Sequence, residues 1–166
     1  MNRKKVFNTI FFAIAVYALY LRAPTILNHF RHQDQKAADF TVKTLNGEDF
    51  ILSQQSKKIV LVFWATWCGP CEVELKRINE MIVEKKIFSN EVMAIVGQED
   101  LKLIREKVVK EKYLFTVGID ADGSVAKKFE VSATPTIIFI DDKQIINWMT
   151  AGISPTLQYR ISSFLR

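Results

Sequence analysis

Residues 59–63, Ile-Val-Leu-Val-Phe, form an unbroken run of β-branched, aliphatic and aromatic side chains. A run without polar residues predicts a strand that is buried on both faces, as happens where helices cover both sides of a sheet. Leu75, Ile78 and Ile82 then recur at helical spacing, and the apolar run at 92–96 predicts a second buried strand. Strands that alternate with helices indicate an α/β fold.

The rest of the pattern predicts a mixed sheet with helices on both faces. Asn46-Gly47 between two short apolar runs predicts a hairpin over residues 39–52. Ser154 is a good N-cap and Pro155 suits the first helical position, so the last helix is predicted to begin there. The other predicted elements are a helix around Ile104, an extended segment at 115–119, a turn at Asp122-Gly123, and strands at 136–140 and 145–149 joined by a turn.

The two cysteines of the chain, Cys68 and Cys71, flank Gly69-Pro70 where the first long helix is predicted to begin. Unpaired backbone N–H groups and the helix dipole at that position favour a thiolate over a thiol. Cys68 is therefore the candidate attacking sulfur, and Cys71, one turn further along, is the candidate resolving thiol. Pro70 fixes the backbone where a missing N–H costs little, and Gly69 leaves room for a partner chain.

The same spacing also fits a stable disulfide, two buried thiols or half of a zinc site. A structural zinc site needs four ligands, and residues 38–166 contain no second pair of cysteines or histidines. His29 and His32 precede that region, in a stretch without apolar periodicity, and are interpreted as solvated linker residues. We therefore predict a redox-active pair, with no metal and no cofactor.

Glu74 follows Cys71 by three residues and lies on the same face of the predicted helix. A carboxylate at that position could exchange protons with the resolving thiol. The alternative is an ordinary solvated glutamate, which is common on helix surfaces. The residue pattern by itself leaves both interpretations open.

The formal net charge of +5 does not indicate a nucleic-acid partner, because of where the charge lies. Residues 1–36 carry six basic side chains and one acidic side chain, whereas residues 37–166 carry 17 of each. A nucleic-acid-binding domain would show its basic excess on the globular part. We therefore expect no nucleic-acid partner.

The basic excess flanks an apolar segment, residues 6–21, which contains no charge and is preceded by Arg3-Lys4-Lys5. As a helix this segment spans about 24 Å, which is shorter than a hydrocarbon core of about 30 Å. Lys5 and Arg22 can extend to the two interfaces and reduce the deficit. The segment predicts a cytoplasmic tip and transmembrane anchor over residues 1–22.

A cleaved signal peptide is the main alternative, because Ala13-Ile14-Ala15 has a small-x-small form. Cleavage there would leave apolar residues on both sides of the site, and a buried soluble helix is a third possibility. An anchor and a signal peptide both export the domain to a compartment where disulfides form. We predict a linker over residues 23–37 and a domain over residues 38–166, facing the periplasm from a single-pass anchor in a bacterial inner membrane.

Residues 63–71, Phe-Trp-Ala-Thr-Trp-Cys-Gly-Pro-Cys, closely resemble the motif of the thioredoxin superfamily. More of the chain resembles the membrane-anchored, exported TlpA/ResA-like branch, and Tyr20–Pro24 with Thr134–Thr136 resemble suppressor-of-copper-sensitivity D (ScsD) and DsbE-like proteins. The further matching segments are Ala38–Thr41 with Leu45–Gly47, Val131–Thr136, and Asp141–Gly152. The resemblance implies a thioredoxin-like mixed β-sheet flanked by helices and preceded by one transmembrane helix.

The resemblance also implies roles for individual residues. Pro135 should follow a cis peptide bond and face Cys68. Thr134 should offer its backbone to an extended substrate strand, and Trp67 should flank the attacking sulfur. With Gly69-Pro70, these residues form the expected substrate-binding surface.

One position departs from the pattern of thioredoxin itself. Thioredoxin carries a buried aspartate at the position of Val62, so proton transfer to Cys71 would have to use another group. Glu74 matches a ResA-like glutamate three residues beyond the second cysteine, which implies a role in that proton transfer.

The sequence therefore predicts an exported, membrane-tethered thiol–disulfide oxidoreductase. Its expected substrates are exported cysteine-containing proteins or apocytochromes, and its expected electron partner is a membrane thiol-redox protein. A redox-inert binding or scaffold domain is the alternative, which the intact cysteine pair disfavours. A peroxide-reducing enzyme would need a peroxidatic cysteine in a Thr/Pro-rich loop, which the sequence lacks. The residues between the cysteines do not decide the direction of electron flow.

Overall fold

The computed structural model describes residues 34–166 and, near the N-terminus, residues 7, 10–14 and 16–17, which are helical. Among these described residues, no helix combines the length and the apolar character that a membrane crossing requires. Most of the predicted anchor at 1–22 and most of the predicted linker at 23–37, including His29 and His32, lie outside the described residues.

Seven strands form one sheet in the order β2-β1-β5-β4-β3-β6-β7. The strands are β1 (Thr41–Thr44), β2 (Asp49–Ile51), β3 (Ile59–Trp64), β4 (Val92–Val96), β5 (Thr116–Ile119), β6 (Thr136–Ile140) and β7 (Ile146–Ala151). The helices of the described domain are α1 (Gly69–Val83), α2 (Leu101–Glu111), α3 (Ser124–Lys128) and α4 (Leu157–Leu165), with 3₁₀ turns at Leu52–Gln54 and Ser89–Glu91.

The sheet mixes parallel and antiparallel pairs. Strand β3 runs parallel to β4, and β4 runs parallel to β5. Strand β6 is antiparallel to both β3 and β7, and β1 is antiparallel to both β2 and β5. The predicted mixed α/β fold is therefore confirmed, including its N-terminal and closing hairpins.

The six residues of β3 are all buried, and they alternate between two hydrophobic cores. On one face, Val60, Val62 and Trp64 join side chains from α1, α2 and α4. On the other face, Ile59, Leu61 and Phe63 pack with the N-terminal hairpin and α3. Burial on both faces explains why this strand contains no polar residue.

One local prediction was wrong, and one short helix was not predicted. The last helix begins at Leu157 rather than at Ser154-Pro155, because residues 154–157 form a turn that the Leu157 N–H and the Ser154 carbonyl close ahead of the helix. Helix α3, which follows the Asp122-Gly123 turn, was not predicted. Asp120 stabilises the start of α3 by accepting two of its backbone N–H groups. A helix this short shows no periodic apolar pattern in the sequence.

Gly118 provides a test of the packing between β1, β4 and β5. A Cβ atom at this position would lie 2.7 Å from Val42 Cγ2 and 3.0 Å from Met93 Sδ. We expect Gly118→Ala to lower the free energy of unfolding by about 1–3 kcal/mol, because the extra methyl group overpacks the core. Urea denaturation measures the change.

Gly97→Ala is the matched control, because no atom lies within 4 Å of a Cβ at Gly97. Its free energy of unfolding should stay within about 0.5 kcal/mol of the unmodified chain. Equal stabilities for the two variants would contradict this account of the packing at Gly118.

Candidate active site

The start of α1 is shaped by four consecutive residues that follow the loop after β3. Cys68 is the N-cap, in an extended conformation, and its Sγ accepts the backbone N–H of Cys71 at 3.2 Å. Gly69 and Pro70 are the first two helical residues. Proline is tolerated there because the first N–H groups of a helix have no partner within the helix.

Cys68 and Cys71 are joined by a disulfide, with their Cα atoms 5.2 Å apart. Cys68 is 6% exposed and Cys71 is 0% exposed, so the N-cap sulfur is the one that solvent and a partner can reach. The free N–H groups of the first helical turn stabilise negative charge at this position. The arrangement can therefore release and re-form a thiolate at Cys68 while it shields Cys71.

The surface around the disulfide is exposed and largely apolar. Trp67 is 79% exposed, and Gly69 and Pro70 are exposed as well. Val73 on α1 and Ile153 before α4 are also exposed. An exposed large apolar side chain next to the disulfide, as Trp67 is, suits contact with another protein.

The Thr134–Pro135 peptide bond is cis, as the resemblance implied. Pro135 is buried and Thr134 is half-buried. The β3–β6 register places Thr136 opposite Phe63, so this loop lies at the end of the sheet where β3 leads toward Cys68. Within residues 34–166 the backbone of Thr134 makes no hydrogen bond, which leaves it available to an added strand.

Glu74 is fully buried on α1. Its Oε1 accepts the backbone N–H of Ser154 at 2.6 Å, and its Oε2 lies 3.4 Å from the Arg77 guanidinium. This burial excludes the alternative of an ordinary solvated glutamate. The Gly152 N–H donates to the Pro135 carbonyl at 2.8 Å, so residues 152–154 connect Glu74 to the cis-proline loop.

Val62 is buried with Cys71 in the core beneath α1. Strand β3 therefore offers no carboxylate to the resolving thiol at this position. Glu74 lies one helical turn beyond Cys71, where residues three apart have Cβ atoms roughly 5–6 Å apart. It is the buried carboxylate of α1.

Glu72, next to Cys71, belongs to a network of ion pairs that joins α1 to α2. Its carboxylate lies 2.5 Å from Lys107 and 2.6 Å from Lys76, and these hydrogen bonds lower the pKa of Glu72 from 4.5 to about 2. Glu111 completes the network with both lysines. The two lysines offset the charge of Glu72, while its position in the first turn of α1 suits the helix dipole.

Glu99 lies in the loop between β4 and α2 and was not predicted from the sequence. Its carboxylate accepts the Thr66 N–H at 3.1 Å and also accepts the Thr66 hydroxyl. No motif marks this residue, because the contact joins positions 33 residues apart. Only the parallel pairing of β3 and β4 brings the two loops together.

A cleft of about 400 Å³ opens beside these residues. Trp67 and Thr134 both line it, so the structure brings these two predicted substrate-binding residues to one surface feature. Cys68, Glu74 and Pro135 are not among its lining residues. The rest of the lining comes from the ends of β3 and β4, the loop at 97–99, Asp120, Ala126 and the loop at 131–133.

Comparison with known proteins identifies the family. Residues 34–149 match the AhpC/TSA family. The thiol-disulfide oxidoreductase ResA of Bacillus thuringiensis subsp. konkukian is 32% identical over 108 residues, which cover 64% of this chain and 62% of that protein. Sporulation thiol-disulfide oxidoreductase A of Bacillus subtilis is 28% identical over 109 residues, covering 64% of this chain and 66% of that protein.

A solved structure from Chlorobium tepidum, named as a thiol:disulfide interchange protein DsbE, superposes with a TM-score of 0.72. It is 26% identical, and the match covers 81% of this chain and 98% of that one. The family match covers most of the chain, and the similar proteins carry ResA and DsbE names. The chain belongs to the AhpC/TSA family, and its similarity to ResA and DsbE-like proteins supports a place in the TlpA/ResA-like branch of the thioredoxin superfamily.

Proposed function

We propose that this protein is an exported, membrane-tethered thiol–disulfide oxidoreductase that exchanges disulfides with extracytoplasmic proteins through Cys68 and Cys71. The observation that carries the proposal is the disulfide at the start of α1, with the more accessible sulfur at the N-cap. The names of the ResA and sporulation relatives support the same reaction class.

In the reducing direction, the Cys68 thiolate attacks one sulfur of a substrate disulfide. The Cys68–substrate disulfide forms, the substrate S–S bond breaks, and the other substrate sulfur leaves as a thiolate. The N–H of Cys71 and the helix dipole stabilise the attacking thiolate before the reaction. The oxidising direction is the reverse of these steps.

Cys71 then resolves the mixed disulfide. It loses its proton, attacks Cys68 Sγ and forms the intramolecular disulfide, while the second substrate thiolate leaves and takes up a proton. Because Cys71 is fully buried, its proton needs an acceptor inside the protein. We assign that role to Glu74, the buried carboxylate one turn further along α1.

The substrate binds as an extended strand along the Thr134 backbone, beside the cis Pro135. Trp67, Gly69 and Pro70 form the apolar surface against which the substrate packs. This mode places main-chain hydrogen bonds next to the sulfur and makes few demands on substrate sequence. It suits a set of exported cysteine-containing proteins or apocytochromes.

The apolar segment with its basic flank tethers the protein to a bacterial inner membrane. In this arrangement residues 1–22 form the cytoplasmic tip and anchor, residues 23–37 form the linker, and residues 38–166 face the periplasm. A membrane thiol-redox protein then exchanges electrons with the Cys68–Cys71 pair.

Serine variants test the two cysteine roles. We expect Cys68→Ser to abolish exchange with insulin disulfides, because the other cysteine, Cys71, is fully buried. Cys71→Ser should accumulate a covalent mixed disulfide, because its resolving step is lost. Non-reducing electrophoresis with mass spectrometry measures the adduct. Absence of an adduct in Cys71→Ser, with exchange intact in the unmodified chain, would contradict the assignment.

Glu74→Gln tests proton transfer to the resolving thiol. Glutamine keeps the side-chain volume and an acceptor for the Ser154 N–H, but it cannot take up a proton. We expect resolution of the mixed disulfide at pH 7 to slow by about 10²-fold, with recovery at higher pH as Cys71 ionises without help. Stopped-flow measurement of mixed-disulfide decay across pH gives both results.

Glu72→Gln is the matched control, since it removes a carboxylate one residue from Cys71 that is bound by lysines. Its resolution rate should stay within about threefold of the unmodified chain, because its carboxylate is not a proton carrier in the proposed step. Equal slowing in Glu72→Gln and Glu74→Gln would show an effect of charge alone and would reject the assignment.

The tether is tested by expressing the full chain in bacteria. We expect it in the membrane fraction, released by detergent but not by alkaline carbonate, with the C-terminal domain digested by protease added to spheroplasts. Recovery in the soluble fraction, with a new N-terminus after Ala15, would identify a cleaved signal peptide instead.

A further inference from the structure

Glu99 contacts the loop that carries the proposed attacking cysteine. Its Oε1 and Oε2 lie 3.1 Å and 3.2 Å from the Thr66 nitrogen, and Oε2 also accepts the Thr66 hydroxyl. Thr66 directly precedes Trp67, and Cys68 follows. One side chain from the β4–α2 loop therefore holds both polar donors of the residue that precedes the exposed tryptophan.

These contacts fix a turn. The Cys68 N–H donates to the Ala65 carbonyl at 3.2 Å, which closes the turn on one side. The Thr66 N–H donates to the Glu99 carboxylate. Glu99 is itself held in place, because its own N–H donates to the Gly97 carbonyl at 2.8 Å. Both ends of the contact are thus tied to the buried central strands of the sheet.

We propose that Glu99 is a positioning residue that fixes the turn at 65–67 in front of Cys68 and places a negative charge next to the loop that carries the attacking sulfur. This proposal rests on the proposed function for the identity of the attacking sulfur. It assigns a role to a residue outside the two cysteines, the cis-proline loop and Glu74.

The charge of Glu99 opposes ionisation of Cys68, because two like charges in one region disfavour each other. The first turn of α1 favours the thiolate, so Glu99 limits an effect that the helix start produces. A thiol with a higher pKa gives a more nucleophilic thiolate. A smaller fraction of that thiol is ionised at a given pH. Glu99 thereby adjusts the reactivity of Cys68.

The other charged groups around the site are each matched by close partners. Glu72 is paired with Lys76 and Lys107, and Glu74 accepts from Ser154 and lies near Arg77. In the neighbouring loops, Asp100 caps α2 through Lys102 N, and Asp120 accepts from Val125 N and Ala126 N of α3. Glu99 is the carboxylate that bonds directly to the turn before Cys68.

The charge is tested with the full-length chain in mild detergent, in a Cys71→Ser background so that Cys68 is the one thiol. The rate of alkylation by iodoacetamide is measured as a function of pH. Glu99→Gln keeps an acceptor for the Thr66 N–H but removes the charge. We expect the midpoint of its profile to move to lower pH by about 0.5 unit, equivalent to about threefold more thiolate below the midpoint.

Glu84→Gln is the charge-matched control. Glu84 is the C-cap of α1, about 16 residues and roughly 24 Å along the helix from Cys68. Its alkylation midpoint should match that of the Cys71→Ser parent. Equal midpoints for Glu99→Gln and Glu84→Gln would overturn the electrostatic part of the proposal.

The contact between Glu99 and Thr66 is tested by Glu99→Ala in the chain with both cysteines. At a pH well above the alkylation midpoint, the rates of exchange with insulin disulfides are compared for Glu99→Gln, which keeps the acceptor for Thr66, and Glu99→Ala, which removes it. Glu99→Ala should be about tenfold slower, because the turn at 65–67 loses its acceptor, and urea denaturation at the same pH verifies that it is folded. Equal rates for the two variants would overturn the positioning role.

These outcomes are distinct from a failure of the proposed function. If the unmodified chain exchanges no disulfides, the proposed function fails. The alkylation profile still tests the effect of Glu99 on Cys68, because it needs no protein substrate.

Discussion

The burial of β3 on both faces is the constraint on which the rest of this structure depends. Its side chains alternate between the core under α1, α2 and α4 and the core against α3 and the N-terminal hairpin. Since both faces are packed, neither the register of β3 nor the point at which it ends can shift without exposing apolar surface. The loop to Cys68 therefore starts from a fixed end of β3, and the first turn of α1 has a defined position.

The chemistry of the cysteine pair follows from that placement. A helix start offers free N–H groups, and Cys68 at the N-cap uses one of them through the bond from Cys71 N. Packing then decides which side chains are buried at the pair. Cys71 lies in the core with Val62, and Glu74 accepts a hydrogen bond from Ser154 in the segment before α4. The hydrogen bonds from Ser154 to Glu74 and from Gly152 to Pro135 join α1 to the cis-proline loop. Residues 152–154 thus connect Glu74 on α1 to the cis-proline loop, which are the two parts of the proposed site.

The sequence predicted the elements whose signal is local and periodic. Both hairpins, the central strands and helices α1 and α2 follow from apolar runs, helical spacing and the Asn46-Gly47 turn, and the structure confirms them. The start of α4 was predicted wrongly, because residues 154–157 form a hydrogen-bonded turn that comes before the helix. Helix α3 escaped prediction because it is short and is held by Asp120 rather than by its own pattern.

By itself, the sequence determined the order of the strands and of helices α1, α2 and α4, the position of the cysteines at a helix start and the presence of a basic, apolar N-terminal segment. Each of these depends on neighbouring residues, and neighbours are what a sequence shows directly. The tertiary structure decided that Glu74 is buried, that Trp67 and Thr134 line one cleft, and that Glu99 holds the turn before Cys68. These contacts join residues far apart in the chain, and only the pairing of β3 with β4 and β6 brings them together.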